Sequence, residues 1–310
     1  MTGKGPRDYE DLIVYMNGEY VPWADATVHV FSPAVKYGAG VFEGIRGYWS
    51  EARGEMLIFR LEDHLKRLEY SQKVMGFERI VTADELAEPI LEMMRRNAFT
   101  EHVHIRPTVF VEGDGESSAK GPVGVSITAV RRPKKAFVET GCRAQVSSWQ
   151  RIADTAMPTR VKANANYNNS RMAALQASKD GYDTAIILNS RGQVSEGPAM
   201  CFFMVRDGRP VTPSITSNIL ESITRATIIE LLGNDLDAAT VERDVDRSEL
   251  YAAEEAFFCG TAWEVSPVVS IDGMPVGTGE VGALTRKLQS VYFDLVTGVT
   301  NDDRGWLTAV

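Results

Sequence analysis

Residues 157–171, MPTRVKANANYNNSR, contain one lysine, Lys162, among small and amide side chains, with Tyr167 shortly after it. A lysine amine can attack a carbonyl once it has lost its proton, which desolvation or a nearby cation promotes. Most lysines are surface residues without such a role. Whether Lys162 is reactive therefore has to be judged from the rest of the chain.

The sequence after this stretch predicts a helix and then a strand. Apolar residues from Met172 onward have the spacing of a helical face, and Gly181 ends the helix. Residues 184–188 are predicted to form a strand, and a turn leads from it to Ser195, Glu196 and Gly197. The chain thus places a lysine before a helix and a carboxylate just after the next strand.

The composition is that of a globular protein large enough for two domains. Of 310 residues, 44% are hydrophobic and 24% are charged. The net charge of -9 argues against nucleic acid as the main partner, although small anions can still bind locally. No apolar run is long enough to span a bilayer, and the first residues contain no signal-peptide core.

Cysteine and histidine usage favours a reducing, cytoplasmic location and predicts no metal site. Cys142, Cys201 and Cys259 are scattered and odd in number, which argues against a disulfide framework or a thiolate site. The four histidines form no HExxH pattern. A pair of histidines two residues apart, at 102 and 104, lacks further ligands.

The first half of the chain predicts a hairpin, a glycine-rich segment and two helices. Asn17-Gly18 within residues 13–21 is a strong hairpin signal. Residues 37–46, YGAGVFEGIR, suit either a pocket wall or a strand packed closely on a neighbour. A strand at 57–60 leads into an amphipathic helix, and Thr82 caps a second helix with Glu85 in the capping-box position.

Two arginines are candidates for binding anions. Arg60 stands at the junction of a strand and a helix, where it can bind phosphate or pair with Glu62 or Asp63. Residues 102–111 alternate as a strand that places His104 and Arg106 on one face, and Arg106 suits a carboxylate.

The second half begins after a basic linker. We predict a small domain over 1–130, a linker over 131–142 and a large domain over 143–310, with RRPKK as the break. Residues 213–225 are predicted to open a helix, where hydroxyls and backbone amides can bind an anion or Ser222 can simply cap. A buried strand at 256–259 ends at Thr261 and Ala262, a second place for a ligand.

Taken together, these segments resemble the fold-type-IV pyridoxal-phosphate enzymes, and branched-chain amino acid aminotransferases most closely. The matching segments follow the family's order along nearly the whole chain. They are YGAGVFEGIR (37–46), FRLEDHLKRL (59–68), HIRPTVFV (104–111), VSSW (146–149), PTRVKANANY (158–167), SEG (195–197), ILESITR (219–225), CGTAWEVSPV (259–268) and GWL (305–307). The resemblance implies an α/β fold of two domains, a small N-terminal one and a larger pseudo-barrel that binds pyridoxal 5'-phosphate.

The resemblance also implies roles for residues around the cofactor. Lys162 would hold the cofactor covalently and carry a proton, Glu196 would pair with the pyridine nitrogen, and Tyr167 would bind the phenolic oxygen. Leu220 would pack against the ring. The phosphate would be held by Arg60, Ile223, Thr224 and Thr261.

The implied activity is transfer of the amino group of Leu, Ile or Val to 2-oxoglutarate by a ping-pong mechanism. Thr261, Ala262 and Arg106 would bind the substrate carboxylate, with His104 nearby. The small-domain side of the pocket would be lined by Tyr37, Phe42 and Gly44. A homodimer, in which a loop from the second subunit closes the site, is the minimum assembly that the resemblance implies.

Three positions depart from the family's pattern. His104 stands where tyrosine is frequent, Cys201 where asparagine is frequent, and Ser222 where glycine is usual. His104, together with Lys134 in the linker and the loop from Gly113 to Gly121, keeps two alternatives open on the same fold, an (R)-amine or D-amino acid transaminase and an aminodeoxychorismate lyase. A ligand-binding protein without catalysis would be expected to lack the lysine or the carboxylate, and both are present.

Overall fold

The computed structural model describes residues 9–310, so that most of the N-terminal segment considered above lies outside the described residues. The described chain is mixed α/β, as predicted, and forms two compact units. The first consists of the chain up to Pro133 together with residues 161–165 and 296–310, and the second of residues 134–160 and 166–295.

The strands, in chain order, are β1 (Ile13–Met16), β2 (Glu19–Pro22), β3 (Gly40–Phe42), β4 (Ile45–Ser50), β5 (Glu55–Phe59), β6 (Val103–Val111), β7 (Val123–Arg131), β8 (Cys142–Gln150), β9 (Thr184–Leu188), β10 (Val194–Glu196), β11 (Cys201–Arg206), β12 (Arg209–Pro213), β13 (Val241–Arg243), β14 (Glu255–Gly260), β15 (Glu264–Ile271), β16 (Met274–Pro275) and β17 (Leu307–Ala309). The α-helices are α1 (Pro33–Tyr37), α2 (Leu61–Val74), α3 (Ala83–Asn97), α4 (Phe137–Thr140), α5 (Asn166–Lys179), α6 (Ile223–Asn234) and α7 (Ala283–Val296), and short 3-10 helices cover Trp23–Asp25 and Arg247–Ala252.

The first unit contains an eight-stranded sheet in the order β17-β5-β4-β6-β7-β1-β2, with β3 paired to β6. Its pairs are antiparallel. Asn17 and Gly18, between β1 and β2, have φ values of 50° and 97°, so the predicted hairpin is confirmed. The predicted capping box of α3 is also present, because Thr82 and Glu85 each accept from the other's backbone amide.

The second unit contains a nine-stranded sheet in the order β10-β9-β8-β15-β14-β11-β12-β13, with β16 paired to β15. This sheet is mixed, because β8 runs parallel to both β9 and β15 while β11, β14 and β15 are antiparallel neighbours. Its core includes Phe202, Met204, Phe258 and Val268, all buried. The sheet brings the ends of β10 and β14, which carry predicted site residues, into one unit.

The compact units differ from the predicted domains in two places. Residues 161–165 belong to the first unit because Val41 and Ala163 form an antiparallel bridge. Residues 296–310 also belong to it, since β17 pairs with β5 through contacts such as Leu307 with Phe59. The main division, after Pro133, falls within the predicted linker.

The helix predicted to open within 213–225 starts at Ile223, near the end of that range. The first residue of the range, Pro213, is the last residue of β12 and pairs with Arg243 of β13. Ser222 is the N-cap of α6, which was the alternative to anion binding that the sequence offered for this residue. Across residues 9–310, none of the helices has both the length and the apolar character needed to cross a membrane.

Candidate active site

Lys162 lies in the first unit, in a short segment that pairs with β3 through the bridge between Val41 and Ala163. Its carbonyl accepts a hydrogen bond from the Phe42 amide at 3.0 Å, and Asn164 N donates to Gly40 O at 2.9 Å. Its own amide donates to Ser71 Oγ on α2 at 3.4 Å. The backbone of the lysine is therefore held on both sides, and its Nζ lies 5.1 Å from the centroid of the Phe42 ring.

The approach of this segment to β3 depends on glycine. A Cβ at Gly40 would lie 2.8 Å from Nδ2 of Asn164, closer than real Cβ contacts. The glycine-rich stretch at 37–46 thus contains a strand packed closely on a neighbour, which is one of the two interpretations offered by the sequence. That neighbour carries the predicted catalytic lysine.

A buried carboxylate follows directly after Phe42. Glu43 has no exposed surface and accepts from Arg67 Nε and Nη2, both at 2.7 Å, and contacts His64 Nδ1 at 2.7 Å. Burial alone would raise the pKa of Glu43, but the Arg67 charge and hydrogen bonds from His64 and Arg67 hold that pKa well below its usual range. Burial lowers the pKa of His64, although the hydrogen bond and charge of Glu43 oppose the shift.

Because burial keeps His64 neutral near pH 7 and an ionised carboxylate can only accept, we assign the proton of the ring to Nδ1, which donates to Glu43. Glu43 and Arg67 then carry opposite charges and His64 carries none. The cluster is electrically balanced as it stands.

His104 packs against Gly44. A Cβ on Gly44 would come within 2.8 Å of Cε1 of the imidazole, so the ring needs glycine at this position. Burial lowers the pKa of His104 to about 3, and the charges of Arg46 and Lys162 act in the same direction. Nδ1 of His104 is buried and has no hydrogen-bond partner. A neutral imidazole in cationic surroundings is suited to an anionic group.

The remaining predicted residues of the first unit are Arg106, Tyr37 and Arg60. The guanidinium of Arg106 lies 3.7 Å from the centroid of the Phe42 ring. Tyr37 is exposed, and its hydroxyl is 3.2 Å from Oε2 of Glu116. Arg60 pairs with Asp63 at 2.6 Å, the pairing that the sequence offered as an alternative to phosphate.

Glu196 is the buried carboxylate of the second unit. Its Oε1 lies 2.9 Å from Nη2 of Arg151, and its Oε2 accepts from the backbone amide of Leu220 at 3.2 Å. The thiol of Cys201 is 4.0 Å from the same Oε2 and 3.7 Å from the carbonyl oxygen of Leu220. The arginine offsets the cost of burying the charge, so Glu196 can remain ionised.

The N-terminus of α6 follows closely after Leu220, whose backbone amide donates to Glu196. Ser222 Oγ accepts from Arg225 N at 3.2 Å, and Ile223 and Thr224 are the first two helical residues. Backbone amides at such an end point outward and carry a partial positive charge, which suits a phosphate.

Thr261 and Ala262 occupy the turn that joins β14 to β15, where Trp263 N donates to Gly260 O at 3.0 Å. Both residues are half-buried. Tyr167 is the second residue of α5 and is also half-buried. Their predicted roles stay predictions.

The predicted site residues are divided between the two units. The first unit holds Tyr37, Phe42, Gly44, Arg60, His104, Arg106 and Lys162, and the second holds Tyr167, Glu196, Leu220, Ile223, Thr224, Thr261 and Ala262.

Sequence reasoning did not single out several residues that contact these side chains. They are Glu43, His64, Arg67, Ser71 and Arg151. The polar residues of α2 could have been found, because they recur at helical spacing on a helix whose apolar inward residues are leucines. Arg151 had no such signal.

Comparison with known proteins identifies the family of the chain. The family model for class IV amino-transferases matches residues 40–271. A branched-chain-amino-acid aminotransferase from Escherichia coli (strain K12) is 40% identical over 304 residues, which cover 96% of this chain and 97% of the relative.

Solved structures agree over the same length. The branched-chain aminotransferase of Thermoproteus uzoniensis, crystallised with norvaline, is 41% identical, has a TM-score of 0.91 and aligns over 96% of this chain and 99% of its own. The PLP form of the Thermobaculum terrenum enzyme is 40% identical, with a TM-score of 0.91 and coverage of 97% and 98%. The predicted fold type is thereby confirmed.

Proposed function

This chain belongs to the class IV amino-transferases, and on that basis we propose that it transfers the amino group of branched-chain L-amino acids to 2-oxoglutarate. It is a pyridoxal-phosphate-dependent aminotransferase that acts on amino acids and 2-oxo acids. The observation that carries the choice of substrate is the full-length similarity to branched-chain enzymes at about 40% identity.

The residues of this chain fit the cofactor. A lysine whose backbone is fixed on both sides can present its amine at one place, and Lys162 meets that requirement through Phe42 and Ser71. A buried carboxylate supported by Arg151 suits a protonated ring nitrogen, as Glu196 would provide. When bound, pyridoxal phosphate supplies an electron sink for the pair left on the substrate Cα.

Each proposed cofactor-binding residue of this chain has a separate role. Lys162 Nζ would hold the cofactor and would take and return the proton at the substrate Cα. Glu196 would keep a proton on the pyridine nitrogen, and Tyr167 would donate to the phenolic oxygen. Leu220 would pack against the ring. We assign the phosphate to Arg60, Ile223, Thr224 and Thr261, where a helix N-terminus and a guanidinium favour negative charge.

Substrate recognition is proposed for a second set. The amides of Thr261 and Ala262 and the guanidinium of Arg106 would bind carboxylate oxygens. His104, neutral and with an unpartnered buried Nδ1, would contribute a hydrogen bond beside them. The apolar part of the pocket would be lined by Tyr37, Phe42 and Gly44.

We propose that the enzyme is a cytoplasmic homodimer. The first unit exposes a run of apolar side chains, since Val30, Phe31 and Val35 are 66%, 60% and 55% exposed. Apolar residues clustered in this way favour burial against a partner, and Tyr37 at the end of the run is a proposed pocket residue. Sedimentation should give twice the monomer mass, and Phe31→Asp should lower it towards the monomer.

Single half-reactions test the choice of substrate. The pyridoxal form is mixed separately with L-leucine, D-alanine and (R)-1-phenylethylamine, and the absorbance of the bound cofactor is followed. Rapid conversion with L-leucine alone is expected. Rapid conversion only with a donor of R configuration would instead identify an (R)-amine or D-amino acid transaminase.

A variant tests the covalent residue. Lys162→Ala should fold, as judged by circular dichroism, and should lose turnover with every donor because no other amine carries the proton. Full turnover in this variant would contradict the assignment of Lys162.

A further inference from the structure

Four polar residues form a stripe along one face of α2. Arg60 precedes the helix, and His64, Arg67 and Ser71 follow at intervals of four, three and four residues, which places them one above another. His64 is 1% exposed and Ser71 is fully buried. Such a face is usually apolar, so these side chains are expected to have polar partners within the unit.

The stripe reaches the Lys162 segment by two routes. Ser71 Oγ accepts directly from the amide of Lys162 at 3.4 Å. His64 and Arg67 instead bind the carboxylate of Glu43 through three contacts of 2.7 Å. Glu43 is the residue after Phe42, whose amide donates to the Lys162 carbonyl. The carboxylate therefore fixes the strand end that holds the lysine.

Both the backbone and the side chain of Glu43 are fixed in orientation. The backbone amide donates to Pro107 O at 2.9 Å, and the guanidinium of Arg67 donates to both carboxylate oxygens. Replacing a buried ion pair by apolar residues is often neutral for stability, so stability alone does not account for the cluster. Fixing the direction of a strand end does require directional bonds.

The charges of the cluster also act on the lysine. The charge of Lys162 lowers the pKa of His64 and of His104 in the first unit, so the amine lies within electrostatic range of both rings. Glu43, Arg67 and Lys162 all act on the ring of His64, Glu43 with the opposite sign to the other two. The cationic groups Arg46 and Arg106 also act on His104. Loss of the Glu43 charge alone would remove the negative member of this group and make the surroundings of the Lys162 amine more positive.

We propose that Glu43, His64 and Arg67 are positioning residues for Lys162, which hold its backbone through Phe42 and keep the charge beside its amine balanced. The inference rests on the proposed function only in taking Lys162 as the lysine that binds the cofactor. None of the three needs to touch substrate.

The test compares Glu43→Gln with the double variant Glu43→Gln/Arg67→Gln in the holoenzyme. The absorbance of the bound cofactor is titrated with pH, and the midpoint reports the basicity of the linked nitrogen. In Glu43→Gln the unbalanced Arg67 should lower the midpoint by about half a pH unit or more. In the double variant the midpoint should return towards the wild-type value, because the charge is balanced again.

Glu88→Gln is the matched control, since it removes an exposed carboxylate paired with Arg95 at 2.8 Å on α3. It should leave the midpoint unchanged. An unchanged midpoint in Glu43→Gln, or a double variant no closer to wild type than the single one, would overturn the electrostatic role.

Hydrogen exchange provides a second measurement that does not depend on activity. His64→Leu removes one of the bonds to the Glu43 carboxylate without changing the charge of the cluster, so it should speed exchange of the peptide containing residues 161–165 without moving the midpoint. This variant keeps the backbone role testable if Glu43→Gln does not fold. Unchanged exchange in His64→Leu would contradict that role.

Reduction with borohydride, followed by peptide mapping, separates the two proposals. A label on Lys162 together with an unchanged midpoint in Glu43→Gln would contradict the positioning role and leave the proposed function standing. A label on another lysine, or no label, removes the proposed function itself.

Discussion

Glu43 in the first unit and Glu196 in the second are both buried carboxylates that face an arginine, but they are bound differently. Glu43 is engaged by both nitrogens of a guanidinium fork and by an imidazole, each at 2.7 Å. Glu196 meets one nitrogen of Arg151 at 2.9 Å, a backbone amide at 3.2 Å and a thiol at 4.0 Å.

The difference indicates what each carboxylate is suited to do. Short charge-assisted bonds from directional donors fix a group in place. A thiol is a weak donor, and a contact of 4.0 Å can be exchanged for a stronger one at little cost. Glu43 is therefore suited to holding structure, and Glu196 is suited to accepting a proton-bearing nitrogen.

The largest expected effect separates the two carboxylates by activity. Glu196→Gln should lower kcat for L-leucine by roughly 10²–10³, because a neutral amide no longer stabilises a protonated ring nitrogen. The variant keeps the shape and an acceptor oxygen, so its circular dichroism should match that of the native protein. Equal kcat values for the two proteins would remove Glu196 from its proposed role.

The second prediction separates the two arginines by stability. Arg67→Met should lower the free energy of unfolding by about 3–5 kcal/mol, because it leaves a fully buried carboxylate without its main partner. Arg151→Met should cost less, since Glu196 keeps the hydrogen bond from the Leu220 amide after it loses its arginine. Urea denaturation of both variants measures the order.

Arg95→Met serves as the surface reference for this pair. Its guanidinium is 45% exposed and pairs with Glu88, so its loss should change the unfolding free energy by less than about 1 kcal/mol. A larger loss for Arg151→Met than for Arg67→Met would contradict the contrast drawn between the two carboxylates.

The third prediction concerns the pH dependence of the unfolding free energy. All four histidines, at positions 29, 64, 102 and 104, lie in the first unit, so histidine titration affects that unit alone. Burial and nearby cations lower the pKa of His104 to about 3. Between this pKa and that of the unfolded chain, His104 is therefore protonated in the unfolded chain and neutral in the folded chain. This contribution to stability is complete above the unfolded pKa of about 6.5 and is lost as the pH falls from there towards 3.

Between pH 7 and pH 5 this histidine should account for about 2 kcal/mol of lost stability. His104→Gln should make the unfolding free energy less dependent on pH over that interval by a similar amount. Carboxylates titrate mainly below pH 5, so they interfere little. An unchanged dependence in the variant would show that His104 is not buried in its neutral form.

Local signals in the sequence predicted the fold better than the connections inside the site. The Asn17-Gly18 turn and the Thr82–Glu85 capping box depend on residues three or fewer positions apart, and both are present as predicted. The order of strands and helices also followed, since it rests on periodicity within each segment. The start of α6 at Ile223 lies within the predicted range 213–225, but the sequence did not indicate that Pro213 ends a strand paired in parallel with β13.

The pairings of the buried charges could not be predicted in the same way. Glu43 meets Arg67 across 24 residues of sequence, and no period or motif joins Arg151 to Glu196. The place of Lys162 in the first unit depends on the pairing of its segment with β3, including the bridge between Val41 and Ala163, and on the contact with Ser71. Contacts of this kind are set by tertiary packing, so the candidate residues could be identified while their partners could not.

The smallest expected effect compares two helix N-termini, one in each unit. Thr82 Oγ1 accepts from Glu85 N at 3.3 Å, and Ser222 Oγ accepts from Arg225 N at 3.2 Å. Replacing either cap by alanine should cost about 1 kcal/mol of stability. Only Ser222→Ala should also weaken cofactor binding, by roughly two- to fivefold, because it loosens the amides proposed to hold the phosphate.

Equilibrium dialysis with pyridoxal phosphate measures the difference, with Thr82→Ala as the matched control of equal stability. The alanine at 222 still leaves the amides of Ile223 and Thr224 in place, which is why the expected loss of affinity is modest. Equal cofactor affinity in the two variants would mean that the α6 N-terminus is capped for the stability of the helix alone. The phosphate would then have to be held by the remaining proposed ligands, Arg60 and Thr261.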